Sequence, residues 1–112
     1  MTTEAISSQI VNDIEHAINN AKNGALFVML DKPQCRRTQD TFIEKLFKTS
    51  AAPGPIRKSM IRYEVATSDD RVFVFSTAGE VNPKEKFDQI YFEPGTSDDV
   101  RSKITALFSK GR

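Results

Sequence analysis

Residues 25–30 read Ala-Leu-Phe-Val-Met-Leu, six apolar residues in a row between Gly24 and Asp31. The run is too short for a helix, and because it is continuous rather than alternating, it marks a strand covered on both faces. Such a strand needs helices packed on the sheet it belongs to, which places the chain in the layered α/β class.

Upstream, Ile6, Ile10, Ile14, Ala17, Ile18 and Ala21 fall on one helical stripe beside a polar stripe of Gln9, Asp13, His16 and Asn20. This predicts an amphipathic helix with Thr3 as its N-cap and Gly24 where it stops. Downstream, Pro33 suits a first helical turn, and Phe42, Ile43, Leu46 and Phe47 repeat at helical spacing up to about Lys48. Residues 49–58 (TSAAPGPIRK) hold Pro53-Gly54-Pro55 and read as a surface loop. Residues 59–67 and 71–77 are rich in β-branched and aromatic side chains and flank Ser68-Asp69-Asp70, which predicts a hairpin. Residues 78–86 are polar around Asn82-Pro83, and residues 87–92 (FDQIYF) supply another strand, ended by Pro94-Gly95. Thr96-Ser97 then caps a last helix, with Asp98-Asp99 in its first turn and Val100, Ile104, Leu107 and Phe108 on its apolar stripe. The order is α-β-α-β-β-β-α: three helices on a mixed sheet of about four strands, with residues 1–112 forming one domain.

Length and composition agree. With 112 residues, 38% apolar and 28% charged, the chain lies in the ordinary globular class. A chain of this size buries roughly two thirds of its unfolded surface, enough for one core without a metal or a disulfide. No apolar run approaches the roughly 18 residues of a membrane span, and Met1 is followed by polar residues, so a soluble cytoplasmic protein with no membrane partner is expected. Cys35 is the only cysteine, so no internal disulfide can form, which suits a reducing compartment.

The formal net charge is only +1, but it is unevenly distributed. Residues 1–31 carry one positive and four negative charges, 32–62 eight and two, 63–99 three and nine, and 100–112 four and none. Such segregation permits a dipolar surface, unless the blocks neutralise one another in space.

The most informative stretch for function is residues 31–37 (DKPQCRR), which crowds Lys32, Arg36 and Arg37 at the start of the second helix. Cations there oppose the helix dipole, so they either hold an anion together with the free backbone N–H groups or stay solvated beside nearby acids. The position also lies at the carboxyl end of a strand, the usual ligand edge of open α/β sheets. Arg57, Lys58 and Arg62 extend the patch. Residues 53–59 (PGPIRKS) are nevertheless not a phosphate-binding P-loop, since Arg57 stands where that pattern needs a second glycine before the lysine. Phe73, Phe75 and Phe92 are expected to fill the core, which leaves Tyr63 and Tyr91 as candidates for an exposed ring. Cys35 reads as a small buried residue on the inner side of the helix, the alternative being a thiolate favoured by the arginines. His16 reads as solvated.

One cysteine and one histidine cannot build a Cys/His metal set. The acids Glu64, Asp69, Asp70, Glu80, Asp88, Glu93, Asp98 and Asp99 mostly sit at turns or helix starts, and no carboxylate is followed two positions later by lysine. Residues 24–48, the hairpin and residues 87–93 (FDQIYFE) resemble the central strands of helicase or viral terminase ATPase cores, where an apolar strand ends in acids that hold Mg²⁺. Those cores require a P-loop that is missing here, and Pro94 follows Glu93 where a broader acidic pair belongs.

The function expected from these residues is a small non-catalytic binding or regulatory module. Lys32, Arg36, Arg37, Arg57, Lys58 and Arg62 would dock an acidic protein partner, with no cofactor, metal or catalytic residue. Binding of nucleic acid or a phosphate ligand is the first alternative, and a metal-dependent enzyme or degenerate ATPase-like domain the second. Self-association through unclosed sheet edges is a further possibility.

Overall fold

A computed structural model describes residues 8–48, 57–58, 63–67, 71–81 and 87–109, with only the backbone of 57–58 and 109. The elements run α1 (Ser8–Asn20), β1 (Gly24–Met29), α2 (Lys32–Lys48), β2 (Arg57–Lys58), β3 (Glu64–Ala66), β4 (Val72–Thr77), a single 3-10 turn (Ala78–Glu80), β5 (Gln89–Phe92) and α3 (Asp98–Ser109). They form an α/β domain around a mixed sheet of order β2-β3-β4-β1-β5. β1 lies parallel to both β4 and β5, whereas the β2–β3 and β3–β4 pairs are antiparallel.

The apolar run is the centre of the molecule: all six residues of β1 are buried, but Leu30, the last of the run, lies beyond the strand and is 53% exposed. Strand alternation sends Ala25, Phe27 and Met29 into the core beneath α1 and α2, and Leu26 and Val28 into a second core beneath α3. The register sets Phe27 opposite Phe75 on one side and Tyr91 on the other, so three rings lie abreast across β4, β1 and β5. Their centroids stand 5.1 and 4.9 Å from that of Phe27, and Phe42 of α2 closes over Phe73 at 4.5 Å.

α1 has no basic residue in its last turn. Arg71, just before β4, supplies the missing cation: its Nη1 donates to the carbonyls of Ile18 and Ala21 at 2.8 and 3.2 Å. Gly24 does not end α1, which stops at Asn20; it opens β1 instead. Its φ is +147°, and a Cβ there would lie 1.9 Å from the Val72 carbonyl oxygen, so close approach to β4 is what requires glycine.

Part of the stretch read as a loop is a strand. Arg57 and Lys58 pair with Ala66 and Val65, which gives β3 a partner on its outer side and the sheet a fifth strand. The β3–β4 hairpin is present, but its turn at residues 68–70 lies outside the described residues, as do Thr3, Ile6, residues 59–62 and Asn82-Pro83. Ser97 caps α3 as expected, its Oγ accepting the Val100 N–H at 3.3 Å. Phe47 and Leu107, assigned to apolar stripes by spacing, are 73% and 37% exposed. No helix among the described residues is long and apolar enough to cross a membrane.

Candidate functional site

Since β1, β4 and β5 are parallel, their carboxyl ends share one edge of the sheet, where α2 begins and the chain turns from β5 toward α3. Two internal acids fill this edge. Asp31 caps α2, its Oδ1 accepting the Gln34 N–H at 2.9 Å. Glu93, immediately after β5, is buried and bridges the strand ends: Oε1 accepts the Leu30 N–H at 2.8 Å, and Oε2 accepts from Gln34 Nε2 at 2.7 Å. A carboxylate only accepts, so it turns the Gln34 amide with its Nε2 inward and its Oε1 outward. That Oε1 accepts from Arg37 Nη1 at 2.6 Å. A relay thus runs from the end of β5 through Gln34 to the Arg37 guanidinium. Of the two alternatives for the start of α2, a bound anion or cations beside the chain's own acids, the contacts fit the second: Asp31 accepts at the helix start and Glu80 lies beside Lys32.

The three predicted cations of α2 come together. Lys32, Arg36 and Arg37 line an open groove of about 500 Å³ with Pro33, Asp40 and Tyr63. Lys32 Nζ lies 3.3 Å from Glu80 Oε2, with both side chains more than half exposed. The Glu80 carboxyl is held below its ordinary value first by the Thr77 hydroxyl and then by Lys32. Arg36 is exposed. Of the other predicted cations, Arg57 and Lys58 have a described backbone in β2 but no described side chain, and Arg62 lies outside the described residues.

Cys35 sits on the inner side of α2 and is buried. Burial, reinforced by the negative charges of Glu80, Asp31 and Glu93, pushes its thiol up to about 12, the opposite of a reactive thiolate. His16 is exposed, as expected, and its Nδ1 lies 2.7 Å from the Tyr91 hydroxyl, which donates to Gln89 Oε1 at 3.1 Å. Tyr91 is half-buried on Phe27, and loss of hydration raises its hydroxyl to about 12. Tyr63 is half-buried as well, at the groove.

The acids do not converge. Asp88 precedes β5 and Glu93 follows it, so they stand at opposite ends of a strand rising about 3.3 Å per residue. Asp88 is a backbone clamp whose oxygens accept the N–H groups of Lys22, Asn23 and Gly24 at 2.7, 2.7 and 3.1 Å. Among the described residues, no three His, Cys, Asp or Glu side chains gather as a metal site would require.

The cations of α2 are visible in the sequence, whereas the roles of Gln34, of the acidic bridge at Glu93 and of the Asp88 clamp are not. Only Glu93 carried a signal, its place at the end of an apolar strand. Gln34 is an ordinary polar helix residue until β5 is brought beside β1. Compared with models of known families, with curated proteins and with solved structures, the chain matches none.

Proposed function

We propose that this protein is a small non-catalytic docking module whose α2 groove receives an acidic segment of a partner protein. One observation carries this reading: Lys32, Arg36 and Arg37 share an open groove with Tyr63 and a single acid, Asp40. Asp31 and Glu93 already engage the donors at the helix start and the strand end, so the cations serve the groove rather than a phosphate cradle. A partner carboxylate would meet the guanidinium fork of Arg36, while its chain packs on Pro33 and Tyr63. Asp40 in the groove and Glu80 against Lys32 oppose the fixed charge that a polynucleotide carries on every unit, whereas a protein segment can space its carboxylates to reach Arg36, which favours a protein. A cytoplasmic setting accords with the lone, buried, free thiol of Cys35.

The test is titration of the full chain with a short glutamate-rich peptide, followed by backbone and arginine Nε NMR signals at low and high salt. Shifts should centre on residues 32–40 and Tyr63 and weaken as salt rises. The double variant Lys32→Glu/Arg36→Glu should lose the response and keep the melting temperature, because surface changes usually move stability by about 0.5 kcal/mol or less. Absent or scattered shifts would reject the reading, and so would tighter binding of a random oligonucleotide than of the peptide at physiological salt.

A further inference from the structure

We infer that the open edge of β5 is a second docking surface, which takes up an extended peptide strand with basic side chains toward α1 and apolar side chains toward α3. Among the described residues, β5 pairs with β1 alone and ends the sheet. The Glu93 N–H donates to the Val28 carbonyl at 2.9 Å, so by alternation Ile90 and Phe92 turn their N–H and C=O groups to the open side. The strand reads Gln-Ile-Tyr-Phe, without the lysine, inward charge or proline that commonly blunts an exposed edge; Pro94 comes only after it ends. A groove of about 470 Å³ runs there, lined by Gln9 and Asp13 of α1, by Ile90, Tyr91, Phe92 and Pro94, and by Arg101 of α3.

The two sides of that groove differ in charge, and the difference selects the occupant. An added strand alternates its side chains between the α1 and α3 sides, as β5 itself does. Those pointing toward α1 meet the Asp13 carboxylate, whose Oδ1 accepts from Gln9 Nε2 at 3.0 Å, with the Tyr91 ring beside it. A lysine or arginine fits there. Those pointing toward α3 meet Ile90 and Phe92, with the Arg101 guanidinium 5.3 Å above the Phe92 ring and anchored to the Thr96 carbonyl at 3.2 Å. An apolar residue fits there and a basic one is repelled. A second copy of this chain answers the pattern poorly: an antiparallel β5–β5 pair keeps α1 beside α1, and the copy's Gln89 and Tyr91 offer no cation to Asp13. The occupant is therefore a basic-apolar segment of another protein, independent of the α2 groove.

The probe is a short peptide alternating lysine and valine, added to the full chain and read by amide exchange and chemical shift. A glutamate–valine peptide and a lysine–valine peptide interrupted by proline serve as controls. The Ile90 and Phe92 amides should gain protection with the lysine–valine peptide alone, and Asp13→Lys should weaken binding roughly fivefold or more while the melting temperature holds. Equal or tighter binding of either control, or shifts centred away from β5, would overturn the inference. So would protection of the Ile90 and Phe92 amides in the free monomer, which would mean a covered edge, or a concentration-dependent dimer paired through β5.

Discussion

Glu93 shows how one side chain at a strand end can set the geometry of a surface several residues away. Because its carboxylate fixes the Gln34 amide, Glu93→Gln should turn that amide round and present an NH₂ group to Arg37, which has only donors to offer. The Arg37 Nε signal should broaden or shift, and the second change Gln34→Glu should restore it by accepting from both neighbours. An unchanged signal in the single variant would sink the relay. Asp88 gives the pH counterpart. Loss of hydration, the largest single influence, works against its ionisation, but the backbone N–H donors together hold it below its ordinary value of 3.8. The native pKa is depressed, so the clamp stabilises fully above that value and is lost as pH falls through the native one. The melting temperature should thus fall more steeply in acid for the wild type than for Asp88→Asn, and parallel curves would refute the clamp. Cys35 works the other way: as pH rises past 9.0 its unfolded thiol ionises while the native one holds its proton to about 12, so stability declines across that interval. A thiol reagent should leave Cys35 unmodified in the native protein at mildly alkaline pH and modify it on denaturation. The cations of residues 31–37 were legible because charge at a helix start is a local pattern. The roles of Gln34, Glu93 and Asp88 were not, since each has a partner brought near only by strand pairing: the Glu93 side chain for Gln34, the Leu30 N–H for Glu93 and the 22–24 backbone for Asp88.

The elements follow the same division between local and distant causes. α1, α2 and α3 were readable from periodicity, α3 even from its cap at Ser97, and β1 and β5 from short runs bounded by turn residues, because each signal is local in the chain. β2 was missed, since two residues among Pro, Gly and Ala become a strand only when β3 offers an edge. Gly24 opens a strand rather than ending a helix for a related reason: its need for glycine comes from its positive φ and from Val72, which the sequence does not place beside it. Gly24→Ala therefore tests the β1–β4 approach directly. The Cβ meets backbone rather than a flexible side chain, so the change should cost more than the roughly 1 kcal/mol of an ordinary glycine effect and lower the denaturation midpoint sharply. A midpoint equal to the wild type would show that the strands can separate there at no cost. Arg71 ties two elements that periodicity treats as unrelated, the end of α1 and the start of β4.

Both faces of β1 are covered, yet unequally. α1 buries Ile10, Ile14, Ala17 and Ile18, and α2 buries Cys35, Thr38, Gln39, Phe42 and Leu46. Gln39 adds a cross-link, donating to the Glu64 carbonyl at 2.9 Å. On the opposite face, Ile104 is the one buried apolar side chain of α3 among the described residues, with Val100 and Phe108 only partly covered. Stability is not uniform across a fold, and elements with few buried apolar groups open at lower free energy than the core strands. α3 should therefore exchange its amides by an opening that leaves β1 and β4 protected. Ile104→Ala should widen that gap, since removing a buried isoleucine to alanine costs about 2–5 kcal/mol and here falls on the helix that has least to lose. Its effect on β1 amides should be smaller than on α3, because although Leu26 and Val28 share a core with Ile104, the Phe27, Phe73 and Phe75 layer on the other face still holds the strand. The distinction bears on binding: Arg101, on α3, lines the β5 edge, whereas the Lys32–Arg36 groove belongs to the firmly held α2. Equal opening free energies for α3 and β1 amides, or an Ile104→Ala variant that destabilises both alike, would show instead that the two faces rise and fall as one cooperative unit.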